Sequence, residues 1–490
     1  MTVARSKRTD LLFAFVALLL FLVPAAINRS PILYPDTIGY FQAGKAAASA
    51  AHIPLAARAA ATPAKEGSGG PAAKMGINTE DGVSDARSVY YGAAFTLSWA
   101  LAGIWALPVL QALICVVALH AALRHLAPDA SQGLRWALVA GTGLIGGVGI
   151  FATTIMPDVF AGLLILALAV IAIYRPALSR LELLGWLALG AAAILFHKSH
   201  LLLALGMFCA LLLLGLVTRR PRWTSLGLIA LLIAVGGIGQ AAFSVAARHA
   251  GLTVYSPPFL LARMIGDRTA ERYLRETCPQ THFATCRFVS RMPMTENEFL
   301  WSGDGGAVGF AGLSAAEKAQ ICSEQWPIVL GTLRTHGLEQ LGKSVAGVFR
   351  QIASVGVTEY AVMPRDSTTT LLHPDIQAYR ARSGIAQDGM PLRLFSGLML
   401  ASYALGGAAL AVLATRLHRR ATACPATDAW PTRLVEATLL VVFAVLLNGA
   451  VCGAISGVFD RYQGRVAWLI PLFALAILIQ LRSAQAQPAR

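Results

Sequence analysis

MTVARSKRTDLLFAFVALLLFLVPAAINRS, Met1 to Ser30, opens on a basic head and runs into an uncharged stretch from Leu11 to Asn28. A helix needs about 20 residues to cross a ~30 Å hydrocarbon layer, so this stretch is long enough for one crossing. A basic head before an apolar run suits a cleaved signal peptide or an uncleaved first helix, and we read it as the helix. Apolar blocks further along predict helices over 103–123, 134–154, 158–174, 181–197, 200–217, 224–246, 392–415, 432–453 and 465–482, which makes about ten transmembrane helices. Blocks of this length differ from the short alternating segments of an outer-membrane barrel. The expected fold is therefore an all-α polytopic membrane protein, because a helix satisfies its own backbone groups inside lipid.

Composition points the same way. Hydrophobic residues make up 56% of the 490 and charged residues 13%, against about 25% charged in a soluble domain, and the mean hydropathy is +0.62. A soluble class is excluded. The net charge of +15 implies no nucleic-acid partner, because Lys and Arg gather beside the ends of apolar blocks, where they orient the chain. With the N-terminus inside, the loops carrying Arg124 and Arg135, Arg175 and Arg180, Arg219, Arg220 and Arg222, and Arg416, Arg419 and Arg420 are cytoplasmic. The short opposite loops around Met156 and His197 carry only Lys198 between them. Both termini are thus expected in the cytoplasm, in a bacterial-type inner (plasma) membrane.

This topology leaves two long segments outside. The first, 29–102, begins SPILYPDTIGYFQAGKAA and passes through an Ala/Pro/Gly-rich stretch at about 43–75 that reads as a mobile loop. It then enters SVYYGAAFTLSWALAGIWALPVLQALICVVALHAAL, too long for one crossing, which predicts a helix lying at the interface before the chain turns inward. The second, 247–391, is charge-rich, carries a weak helical pattern in SAAEKAQICSEQWPIVLGTLRTHGLEQLGKSVAGVFRQIAS, and reads as a small extracytoplasmic insertion. It separates an N-terminal transmembrane module, 1–246, from the C-terminal helices of 392–490. Cys278, Cys286 and Cys322 share it: a Cys278–Cys286 bridge and a fully reduced set both stay open.

Four groups of residues are candidates for chemistry. Asp36 in YPDTIGYFQAG and Asp158 in TTIMPDVFAGLLILALAV each have a plain explanation as a helix N-cap. Together, two carboxylates at one membrane face suit the orienting and deprotonating of an acceptor, with Tyr40 beside them as a binding candidate. In FHKSH, His197, Lys198 and His200 put three cationic or potentially cationic side chains into four residues, as a phosphate site would, although a lysine there also snorkels to headgroups. In GVFDRYQGRVAWLIPL, Arg461 and Arg465 lie four apart on one helical face with Asp460 and Tyr462 adjacent. Arginines outside run against the positive-inside trend, and suit a bidentate clamp on a lipid phosphate or an ion pair with Asp36 or Asp158. Arg263 and Asp267 read first as a helix-surface pair. No zinc spacing, Walker motif, dinucleotide fingerprint, serine nucleophile elbow or HExxH is present.

The arrangement resembles the GT-C superfamily of membrane glycosyltransferases, over the hydrophobic frame of about the first 220 residues and the final helix. The resemblance implies a GT-C-like architecture and transfer of a sugar from a polyprenyl-phosphate donor to a cell-envelope acceptor outside. Asp36 matches the place of that family's first-loop base and Asp158 that of its second-loop acid, while Lys198, Arg461 and Arg465 could bind the carrier phosphate. The sequence departs from the family in having a lone Asp in PDTIGY rather than an Asp-Glu pair, and in inserting its outer domain before the eighth helix. The first departure leaves a divalent metal open with no metal ligand assigned, and the second leaves the acceptor open. The rival readings are a secondary transporter, opposed by charges at one face and no duplicated halves, and a non-catalytic scaffold related to these enzymes.

Overall fold

The computed structural model describes residues 2–50, 53, 82–302, 309–362, 381–385, 389–423 and 430–486. Eight helical spans are long and apolar enough to cross a membrane, and the chain is a multi-pass helical membrane protein. The helices in chain order begin with α1 (Thr2–Ile27), α2 (Pro35–Ala50), α3 (Val89–Ala102), α4 (Ala106–Leu126), α5 (Gln132–Leu144), α6 (Val148–Thr153) and α7 (Val159–Ala169). They continue with α8 (Arg180–Phe196), α9 (Lys198–Val217) and α10 (Trp223–His249). In the inserted segment come α11 (Phe259–Gly266), α12 (Thr269–Thr277), α13 (Glu296–Trp301) and the long α14 (Ala315–Ala353). The chain returns through α15 (Leu392–Ala423), α16 (Trp430–Ile455), α17 (Asp460–Ala467) and α18 (Leu469–Ala486). The eight spans are α1, α4, α7 with its continuation to Ala177, α9, α10, α15, α16, and α17 joined to α18.

Two of the ten expected crossings take another form. The block 134–154 is divided into α5 and α6 at Gly147, and 181–197 is the 17-residue α8. The long run 88–123 divides into α3 and α4 at Gly103, as its length demanded. Both breaks sit on glycines with φ near +80°, a region that side chains with a Cβ seldom adopt. Within the stretch expected to be a mobile loop, the Ala-rich residues up to Ala50 belong to α2, in keeping with the helix propensity of alanine. The rest of that stretch, apart from Ile53, lies outside the described residues.

At the centre stands α7, buried at every position from Val159 to Tyr174. A helix apolar on all sides is a core helix, and α8, α9, α16 and α17 pack around it. The inserted segment has a separate core, in which Leu261, Ile265, Leu274, Phe288, Phe299, Ile321 and Ile328 come together. Cys278 and Cys286 are bridged there, while Cys322 is unbridged. The all-α expectation has exceptions among the described residues: β1 (Gly82–Ser84) pairs in parallel with β2 (Thr253–Tyr255), tying the first long loop to the insertion, and Ile32 forms a parallel bridge with Thr154.

Candidate functional site

The site begins with backbone bonds between two distant loops. The Ile32 amide donates to the Thr153 carbonyl at 3.0 Å, and the Ile155 amide donates back to the Ile32 carbonyl at 2.9 Å. The Thr37 hydroxyl donates to the Ile155 carbonyl at 3.0 Å, and the Gln111 amide group donates to the carbonyls of Ala152 and Thr154 at 2.8 and 3.0 Å. These bonds bring Asp36, the second residue of α2, alongside Asp158 at the start of α7. Neither carboxylate serves as a cap. Asp158 occupies the N-cap position with no side-chain cap bond, and at the start of α2 it is Thr37 whose hydroxyl receives the Tyr34 amide at 3.0 Å.

Arginines of α17 take up the free carboxylates. A Cβ on Gly162, one turn beyond Asp158, would stand 2.6 Å from the Trp468 indole nitrogen and 2.8 Å from the Arg465 carbonyl oxygen; only glycine lets α17 approach α7 this closely. Across that contact Arg465 Nη1 lies 3.0 Å from Asp158 Oδ1, and Arg461 Nη1 lies 3.4 Å from Asp158 Oδ2. Arg461 also reaches Asp36 Oδ2 at 3.8 Å through Nη2, and Glu359 Oε2 at 3.3 Å through Nε. Its guanidinium lies over the rings of Tyr34 and Tyr462, 4.5 and 4.6 Å from their centroids, the stacked arrangement a planar cation favours. Arg87 pairs with the other oxygen of Asp36. Arg465 completes its contacts on α16, with Nη2 3.2 Å from Asn448 Oδ1. The two arginines are 5% and 2% exposed, so each guanidinium is engaged by protein rather than facing open water.

The remaining sequence candidates lie around this cluster. Tyr40 is buried one turn beyond Asp36 with its ring edge-on to Tyr91, centroids 5.0 Å apart, and burial raises the pKa of its hydroxyl. Lys198 reaches Asp85 at 2.5 Å and is partly exposed, so it pairs with neither Asp36 nor Asp158. His197 receives the Ser199 amide on Nδ1 at 3.2 Å and thereby caps α9. Burial, with His200, Arg465, Arg87 and Arg461 nearby, lowers its pKa well below the ordinary value, which disfavours the cationic form of this potentially cationic side chain. His200 is fully enclosed and donates from Nδ1 to the Ala193 carbonyl at 2.6 Å, a structural bond. Arg263 and Asp267, read as a surface pair, form a buried one at 3.0 Å.

Four members of the cluster escaped the sequence reading. Arg87 carried the same signal as Arg461, a cation beside an apolar run on the face where few are expected. Asn448 offered a polar interruption within LLVVFAVLLNGAV. Tyr34 and Glu359 offered none, because nothing local distinguishes a glutamate that the insertion returns to the bundle. That return is made by a short turn: Asp460 Oδ2 accepts from the Thr358 amide at 2.8 Å and its hydroxyl at 2.5 Å, and the Asp460 amide donates to Glu359 Oε1 at 2.8 Å. Burial pushes Glu359 up to about 8, with Asp460 adding and Arg461 opposing. Among the described residues no group of three or more His, Cys, Asp and Glu is placed to hold a metal ion.

The fold and cluster define a multi-pass helical membrane protein with carboxylates and arginines gathered at the end that carries the insertion. No protein-family model matches the chain, nor does any curated protein or solved structure.

Proposed function

We propose that this protein is a membrane glycosyltransferase of the GT-C kind, which moves a sugar from a polyprenyl-phosphate donor to an acceptor on the extracytoplasmic face. The observation that carries the reading is the meeting of Asp36, Asp158, Arg461 and Arg465 in one cluster. These four residues come from three separate parts of the chain and were singled out for this chemistry.

In this reading the acceptor hydroxyl attacks the anomeric carbon while Asp36 takes its proton, and the carbon–phosphate-oxygen bond breaks to release the lipid phosphate. Arg461 and Arg87, now paired with carboxylates, exchange those contacts for the departing phosphate and stabilise its charge. Asp158 holds Arg461 and Arg465 in position. The topology that goes with this function has ten crossings, counting α5 with α6 and α8, and places the insertion outside. The Cys278–Cys286 bridge supports that side, since such bridges persist in oxidising compartments, and the Ser88 hydroxyl, beside Arg87, bonds to the Leu195 carbonyl near the end of α8 at 2.6 Å.

The test is Asp36→Asn, assayed for transfer from radiolabelled lipid-linked sugars in isolated membranes. Loss of a general base costs about 10²–10⁴-fold in rate. Transfer at the normal rate would exclude Asp36 as the base.

A further inference from the structure

The second half of α14 belongs to an insertion that the sequence places entirely in water, yet its surface does not suit water. The helix bends at His336, where φ is −126° and ψ is 24°, and from there Leu338, Leu341, Val345 and Phe349 are 89%, 60%, 45% and 69% exposed. Spacings of three, four and four put all four on one face. The opposite face is fastened to the membrane bundle. A Cβ on Gly347 would stand 2.4 Å from the Gly453 carbonyl oxygen of α16, and one on Gly449 would stand 2.6 Å from Ile352. The last turns of α14 thus lie along the final turns of a helix that is itself apolar and long enough to span.

We propose that residues 337–353 of α14 are seated in the lipid leaflet on the insertion side, with the Leu338–Phe349 face against acyl chains. Two features select lipid over a second copy of the chain. The helix packs along α16, which packs on α15, and both of these spans expose apolar side chains of their own at Phe443, Leu446, Leu398 and Leu405. Exposed Lys343 and Arg350 stand together on the polar side of the same helix, as a basic amphipathic helix presents its cations to headgroup phosphates. The only carboxylate of the segment, Glu339, is paired with Arg272 of α12.

The seat has a consequence for the cluster, whatever reaction it serves. Gln351, on the buried face, donates to the Phe459 carbonyl at 2.7 Å and accepts from its amide at 3.0 Å. Phe459 immediately precedes α17, so the lipid-seated helix fixes the depth at which Arg461 sits.

The test uses the full chain reconstituted in phosphatidylethanolamine–phosphatidylglycerol vesicles, with the photo-crosslinker p-benzoylphenylalanine replacing Leu341 or Phe349. Leu405 of α15 serves as a lipid-facing reference and exposed Ser323 in the first half of α14 as a water-facing one. Phospholipid adducts at 341 and 349, as at 405 and unlike 323, are the expected result. Adducts between two protein chains would make the stripe a self-association surface and overturn the proposal. Absence of lipid adducts at both positions while 405 labels would also overturn it. Both substituted positions are exposed, so the fold should tolerate the change, and normal elution on gel filtration checks this.

Discussion

At the scale of single residues, Glu359 makes the sharpest prediction. Its carboxyl faces Arg461, Asp460 and Tyr34, and burial lifts its pKa from an ordinary 4.5 to about 8. Between these values the folded chain holds a proton that the unfolded chain has released. The stability contributed is therefore largest at low pH and is lost as pH rises through about 8. An ionised Glu359 would stand beside Asp460, whose own carboxylate fastens Thr358. Amide exchange across residues 356–362 should thus accelerate beyond the intrinsic chemical rate as pH rises from about 5 to 8 and level off above that, and Glu359→Gln should remove the excess. A pH response unchanged by that substitution would assign the loosening to another group. Asp36 and Asp158 show a different lesson at this scale. The local sequence offered each a cap, and the structure gave each an arginine instead, because a tertiary partner outcompetes a single backbone bond once the helices are packed.

At the scale of the element, the contact of α7 with α17 positions the cluster. Gly162→Val would push a branched side chain into the Trp468 ring and the Arg465 carbonyl. Overpacking of this kind costs about 1–3 kcal/mol, and here the strain also parts Arg465 from Asp158. The expected result is a lowered Tm in detergent for Gly162→Val and a much smaller change for Gly185→Val on α8, where a Cβ meets nothing. Equal losses in the two variants would mean that the close approach is not what Gly162 is for. Elements were legible where a run was long and apolar. The division of 88–123 followed from its excess length, whereas the split between α5 and α6 at Gly147 fell inside a block of ordinary length and was marked only by the Gly146-Gly147 pair.

At the scale of the molecule, orientation is the quantity to measure. Alkaline phosphatase, which folds only outside the cytoplasm, should be active when fused after Ser302 in the insertion and inactive when fused after Arg222, among the clustered arginines. The reverse pattern would invert the topology and place the carboxylate–arginine cluster at the cytoplasmic face, where the proposed donor is not presented in the required orientation. The lipid seat of α14 is independent of this result, since the helix lies along α16 in either orientation.

Sequence by itself determined that the chain is a multi-helix membrane protein, where most helices run, and that acids and arginines near helix ends stand apart from a lipid-facing frame. These follow from local quantities: the length of an apolar run, the bias of Lys and Arg, and the four-residue spacing of Arg461 and Arg465. Tertiary structure alone decided which charges meet. The backbone ladder between Ile32 and Thr153–Ile155 and the glycine contact at Gly162 join segments more than a hundred residues apart, and no local signal encodes such a distance. The same packing took Lys198 to Asp85, set His197 against His200 and returned Glu359 from the insertion. In the low dielectric of the bundle, a charge takes whichever partner the fold brings within reach, since leaving it unpaired is costly.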